Sequence, residues 1–302
     1  MDDCRVDCVI NLDVSSGESM TTWIWGLLGV LLTPVVAGLV GGVDRIITAR
    51  MQGRMGPPVL QPFYDVLKLF SKQNLVLNRF HHDLVICSLV FTVAAVGLFF
   101  AGENLLLCIF ALVVGNVFLV LAAYATNSPY SLLGAERELL QMLSAEPMIL
   151  LTAVGFYMAT GGFDVSQIIL THHLPIIALP GIFLGLVYVL TIKLRKSPFD
   201  LATSHHAHQE LVKGISTEFV GPSLALFEII HWYETIFVMA LVYLFFASMP
   251  ILGIFAILAV YFVEILIDNT DARVKWELML GSAWIITLIF GVGNLMILHI
   301  FQ

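Results

Sequence analysis

Charge is what this sequence has least of. Only 12% of its 302 residues are Asp, Glu, Lys or Arg, about half the share of an ordinary soluble domain, while 59% are hydrophobic. That balance excludes a water-soluble fold, because one core could not enclose so much apolar surface, and it excludes a basic nucleic-acid-binding face. Cysteine is scarce as well. Of the four, Cys87 and Cys108 fall inside apolar runs and read as packed thiols; Cys4 and Cys8 stand in a C-x₃-C spacing in an acidic segment. A cluster of iron and sulfide needs about four well-placed thiolates, so no redox centre is expected in this chain. A positively charged start is also missing. Residues 1–21 are polar and acidic, unlike a signal peptide, and are expected to form a tail outside a single membrane domain over 22–302.

Long apolar runs are abundant. Read as helices of about 20 residues, they predict an all-α polytopic membrane protein with about eight spans, near 22–43, 84–101, 105–125, 147–161, 175–194, 223–246, 250–267 and 282–300. The fourth run is short, with a possible start near Leu139. Glycines 26, 29, 38, 41 and 42 in the first run suit close helix packing. Between the first two runs, PFYDVLKLFSK places Phe63, Val66, Leu67 and Phe70 on one helical face, with Pro62 suited to a first turn. This predicts an interfacial amphipathic helix. His81 and His82, at the edge of the second run, read as interfacial residues, and His172 and His173 as a solvated outer loop.

The basic residues are unevenly placed. Thirteen of the 14 lie in alternate connections: 44–83, 126–146, the end of the fifth run through 222, and 268–281. The positive-inside rule puts these connections on the cytoplasmic side and both termini outside. The expected location is the cytoplasmic (inner) membrane.

Acids inside the apolar runs are the main functional signal. An ionised side chain at the bilayer centre costs about 2.5–3.5 kcal/mol even on insertion scales. Glu228, His231 and Glu234 nevertheless follow one another at i, i+3 spacing, a stripe rising about 9 Å along one helix. Glu264 lies in the seventh run, and Glu136, Glu138, Glu146, Asp200, Glu210 and Glu218 gather on the same side of the membrane. Such a row suits a proton or cation pathway; polar contacts that glue helices together are the plainer explanation.

Three stretches carry a family resemblance: ARMQGRMGPPVLQPFYDVLKLF at 49–70, AERELLQMLSAEPMILL at 135–151 and SPFDLATSHHAHQELVKGISTEFVGPSLALFEI at 197–229. In this order they resemble the membrane subunit known in respiratory complex I as subunit 1, shared with energy-converting nickel–iron hydrogenases. The resemblance implies a subunit joining a hydrophilic redox arm to the membrane, with no cofactor of its own. Arg50, Gln52, Arg54, Asp65, Lys68, Arg137 and Gln141 would belong to loops beneath that arm. The acids would couple it to ion translocation. Two departures point to the hydrogenase branch: RMGPPVLQP is abbreviated, and ATSHHAHQ replaces a short acid-bearing peptide. SHHAHQELVKG is similar to the corresponding membrane subunit of Ech-type hydrogenases. Its His205, His206 and His208 would be a proton relay or gate, metal ligands, or hydrogen-bonding contacts to a partner.

The implied partners are hydrogenase large and small subunits, an iron–sulfur subunit, an antiporter-like membrane subunit and reduced ferredoxin, with the nickel–iron centre and iron–sulfur clusters in those subunits. A quinone-site subunit of a complex I type dehydrogenase is the alternative within the family. A stand-alone ion transporter is the alternative outside it, though no internal repeat supports one.

Overall fold

A computed structural model describes residues 3–73, 79–171, 173–199, 202 and 214–301, with side chains from residue 22 to residue 300 apart from Arg79. Among them there are helices and turns but no strand. The principal helices are α1 (Asp3–Met51), α2 (Gln61–Phe70), α3 (Arg79–Phe100), α4 (Leu105–Tyr124) and α5 (Pro129–Thr160). Two short helices, α6 (Val165–Leu170) and α7 (Pro175–Ala178), lead into α8 (Pro180–Lys193). Then come α9 (Pro222–Leu244), α10 (Pro250–Thr270), α11 (Trp276–Ile286) and α12 (Gly293–Phe301), the last two joined through a π-helical turn at Thr287–Val292.

Seven of the described segments are long and apolar enough to cross a membrane. The fifth expected span, 175–194, is the exception. It is broken at Leu179 and leaves α8 only 14 residues long, about 21 Å against a hydrocarbon core of about 30 Å. Pro180 opens it, and Arg195, in the left-handed region at φ 52°, turns the chain just past its end.

One other span needs correcting. The fourth span begins at Pro129 rather than near 147, so 129–146 is helix and not loop. Hydropathy missed this because Glu136, Arg137, Glu138 and Glu146 dilute the run, yet Glu138 is buried. Pro147 sits inside the same helix, where it withholds one backbone donor beside Glu146.

The bundle has a centre and a rim. The apolar windows of α9 and α5 are 61% and 56% buried, against 22% for α10 and 17% for the last helix. Phe156, Ile182, Leu186, Phe237 and Phe245 pack the middle. Trp25, Leu31, Ile251, Phe255 and Ile300 point outward, which suits a hydrocarbon surround rather than water.

At one end the connections are tight. Asn104 caps α4 by accepting from the Leu106 and Leu107 amides, and Leu105 N–H donates to Phe163 O. The other end carries the polar connections. There α2 lies across α1 and α9 with Pro62 and Val66 buried and Phe63 edge-on to Trp232. Leu67 and Phe70 of its expected apolar face stay exposed. Glycines of α1 permit this approach: a Cβ on Gly42 would collide with Val59 O.

Two side chains lie opposite to expectation. Of the two thiols expected to be packed, Cys108 is buried but Cys87 is exposed. His81 is buried, with Nδ1 2.8 Å from Ala122 O and its ring against Phe219. Being apolar or polar did not decide either position, since the outer face of a span meets lipid rather than water.

Candidate functional site: a buried ion-pair cluster at the end of a short helix

Because α8 stops short, the cations at its end lie inside the bundle. Arg195 is 7% exposed, its Nη2 2.9 Å from Glu138 Oε1 on α5 and 3.9 Å from Glu234 Oε2 on α9. Its guanidinium also lies over the Phe227 ring, 5.2 Å from the centroid. Burial acts against the charge, but Glu138 and Glu234 more than offset it and hold the pKa above its ordinary value. Lys193 pairs with Glu146 on α5. His231 Nδ1 is 3.7 Å from Glu234 Oε2. Paired in this way, acids can sit about 18 Å along α9 from its first residue without the full penalty of an isolated buried charge.

Acceptors are left over. Asn116 Oδ1, Glu138 Oε2 and Gln141 Oε1 are buried with no hydrogen-bond partner among the described residues. All three residues line one void with Met142, Ile192, Lys193, Arg195 and Glu234, which has space for about one water molecule. Gln141 Nε2 donates to Phe199 O at 2.5 Å and ties α5 to the segment after α8.

Of the stripe on α9, His231 and Glu234 join this cluster. Glu228 is half-buried and lines an open cleft between α1, α2 and α9 with Arg45, Asp65, Lys68, Lys72 and Trp232. It is still close enough for its charge to act on Arg195, so the row runs from cleft to void.

The remaining predicted residues are dispersed. Arg45 Nη1 contacts Asp65 at 2.7 Å; Gln52 Nε2 donates to Asn269 at 3.0 Å and its oxygen accepts from Arg54. Arg50 and Lys68 are exposed, as is Glu136, while Arg137 and Glu218 are half-buried. Asp200, Glu210, His205, His206 and His208 lie outside the described residues.

Sequence reasoning missed the cations. Lys193, Arg195 and Lys196 read as surface charges, and their burial follows from the 14-residue length of α8, which the apolar run 175–194 did not reveal. A second cluster was missed altogether. Lys196 Nζ lies 2.5 Å from Asp44 Oδ2 on α1 and 3.3 Å from Asp268 Oδ2 on α10, and Tyr261 OH donates to Asp44 at 3.1 Å. Burial opposes the Lys196 charge, but the two carboxylates outweigh it and raise its pKa. Glu264, one turn from Asp268, is fully buried beside this group.

The comparisons with known proteins agree on what kind of chain this is. The NADH dehydrogenase family model matches residues 25–299. The chain belongs to the NADH dehydrogenase subunit 1 family. It is 29% identical over 219 residues to hydrogenase-4 component C of Escherichia coli K12, covering 67% of this chain and 68% of that protein. It is 30% identical over 239 residues to an NADH-quinone oxidoreductase subunit of Magnetococcus marinus, 70% of this chain and 68% of the relative. The fold matches a chain of an archaeal respiratory membrane complex, the membrane-bound sulfane sulfur reductase, with TM-score 0.75 and 22% identity over 91% of this chain and 99% of that one. This is a multi-pass membrane subunit of a complex I-like or hydrogenase-like assembly.

Proposed function

We propose that this chain is the membrane subunit of an energy-converting nickel–iron hydrogenase, and that it carries part of the path by which hydrogen chemistry drives export of protons or sodium ions. Electrons would pass from reduced ferredoxin to protons in partner subunits: a large subunit with the nickel–iron centre, a small subunit and an iron–sulfur subunit. An antiporter-like subunit would share the membrane. The basic connections would face the cytoplasm and both termini the outside, following the lysine and arginine bias.

The observation that carries the reading is the row Glu228, His231, Glu234, Arg195 and Glu138, which leads from the open cleft to the buried void. A proton arriving at the cleft meets a carboxylate, then an imidazole, then a carboxylate held by a guanidinium. A water in the void would link Glu138 to Asn116 and Gln141. Arg50, Gln52, Arg54, Asp65, Lys68, Arg137 and the histidines 205, 206 and 208 would serve the docked redox arm, and Asp200, Glu210 and Glu218 the path between arm and membrane. The hydrogenase assignment rests on SHHAHQELVKG, on the abbreviated RMGPPVLQP and on the similarity to hydrogenase-4 component C.

Two measurements test this. Mass spectrometry of the intact complex should find a nickel–iron large subunit. Glu234→Gln should leave hydrogen evolution within about twofold while coupled export falls about tenfold or more, as loss of a proton-transferring group does; unchanged export removes Glu234 from the path.

A quinone-reducing role is the second reading, favoured by the NADH-quinone oxidoreductase relatives and by the cleft between α1, α2 and α9. Five charged residues (Arg45, Asp65, Lys68, Lys72 and Glu228) line that cleft, which suits a polar head better than an isoprenoid tail. A quinone retained through purification, or a photoreactive quinone that labels the cleft, would decide for this reading.

A further inference from the structure

Lys196 points away from the Arg195 cluster and organises a group that the proposed pathway leaves unused. Its ammonium stands between Asp44 and Asp268. Tyr261 donates to Asp44, and Ser197 N–H donates to Asp268 Oδ1 at 2.9 Å. One turn from Asp268, Glu264 is 0% exposed. Neither of its oxygens receives a hydrogen bond among the described residues.

The charge balance is then decisive. Two aspartates against one lysine leave this group already negative, and an ionised Glu264 would add a second uncompensated charge in a buried site with no donor. Proteins avoid that state by neutralising the group. The cationic position between the aspartates is filled by Lys196, which leaves Glu264 a proton rather than a metal ion as its counterpart. Helix α10 packs against α1, α8 and α9. The charges that act on Glu264 are Lys196 from the segment after α8 and Asp268 from α10 itself, with Tyr261 also on α10; Asp44 from α1 reaches it only through its pair with Lys196, and the acids of α9 belong to Arg195.

We infer that Glu264 is a second proton-holding site, a buried carboxylic acid that keeps or releases its proton according to the position of Lys196 between Asp44 and Asp268. Release breaks the Glu264 O–H bond, the proton leaves on water, and the Lys196 ammonium compensates the new carboxylate once it moves off the aspartates. The position of Lys196 depends on its neighbours in the chain. Ser197 Oγ donates to Asp271 O at 3.1 Å and Val274 N–H donates to Pro198 O at 3.0 Å. The Lys196–Pro198 segment and the α10–α11 connection therefore move together or come apart. A role in coupled export rests on the function proposed above; the proton on Glu264 does not.

Infrared spectroscopy of the intact membrane complex in lipid nanodiscs tests the site directly. At neutral pH the wild type should show a protonated carboxyl stretch that Glu264→Gln removes and Glu234→Gln leaves in place. Lys196→Gln should raise the pH at which the band disappears by about one unit or more, and Asp268→Asn should lower it comparably, since each changes one charge that acts on Glu264. A scaffold role alone predicts no such opposed shifts. If Glu264→Gln does not assemble, Glu264→Asp should keep a band at a displaced frequency. The inference is overturned if wild type and Glu264→Gln have the same spectrum at neutral pH. It is also overturned if sodium abolishes the band at constant pH, or if neither neighbouring substitution moves the midpoint.

Discussion

Arg195 and Lys196 are adjacent in the chain, yet they serve opposite sides of the bundle. Arg195 reaches inward to Glu138 and Glu234 on the two most buried helices, where all three side chains are under 10% exposed. Lys196 reaches outward to Asp44 and Asp268 on the rim, where the carboxylates are 15% and 26% exposed. The left-handed turn at Arg195 lets one dipeptide address both. The inner cluster meets only a void of about one water, whereas the outer one is partly open to its surroundings. Two neighbouring cations with like chemistry are thus set apart by depth alone.

Substitutions can break or sharpen that contrast. The largest effect should follow Arg195→Met, which strands two buried carboxylates and costs about 3–5 kcal/mol, read as loss of folded protein in detergent melts. Adding Glu138→Gln should recover part of the loss. Lys196→Met should cost less, because water can reach Asp268, and a cost equal to that of Arg195→Met would erase the distinction between the clusters. Gly42→Ala should come next, at about 1–3 kcal/mol for forcing α1 off Val59. The smallest should be Arg45→Gln, which removes an exposed pair with Asp65 worth about 1 kcal/mol or less.

The sequence revealed the fold largely through hydropathy, and it failed where hydropathy stops being informative. The stretch 126–146 reads as a connection, with a helix start no earlier than Leu139, because its acids are counted as solvent-facing, whereas the fold turns Glu138 onto a cation supplied from 57 residues away. The i, i+3 spacing correctly placed His231 and Glu234 together, since one helix fixes that contact. It grouped Glu228 with them although that residue opens onto the cleft, because a step of three residues rotates each successive position around the helix. Asp44 and Lys196 lie 152 residues apart, and no local pattern could pair them. The resemblance supplied the family, which the comparisons establish, but the cluster at the end of α8 came only from coordinates.

The abrupt finish of α8 also bears on how the chain would sense voltage. With Arg195 held against Glu234, only the last ten residues of α9, about 15 Å, lie beyond that acid, against about 30 Å for a whole hydrocarbon core. The membrane potential would drop across this reduced barrier, so a charge leaving Glu234 for the far side would cross most of the field in one short passage. At about 2.3 kcal/mol per elementary charge for 100 mV, that passage is where electrical work would be done.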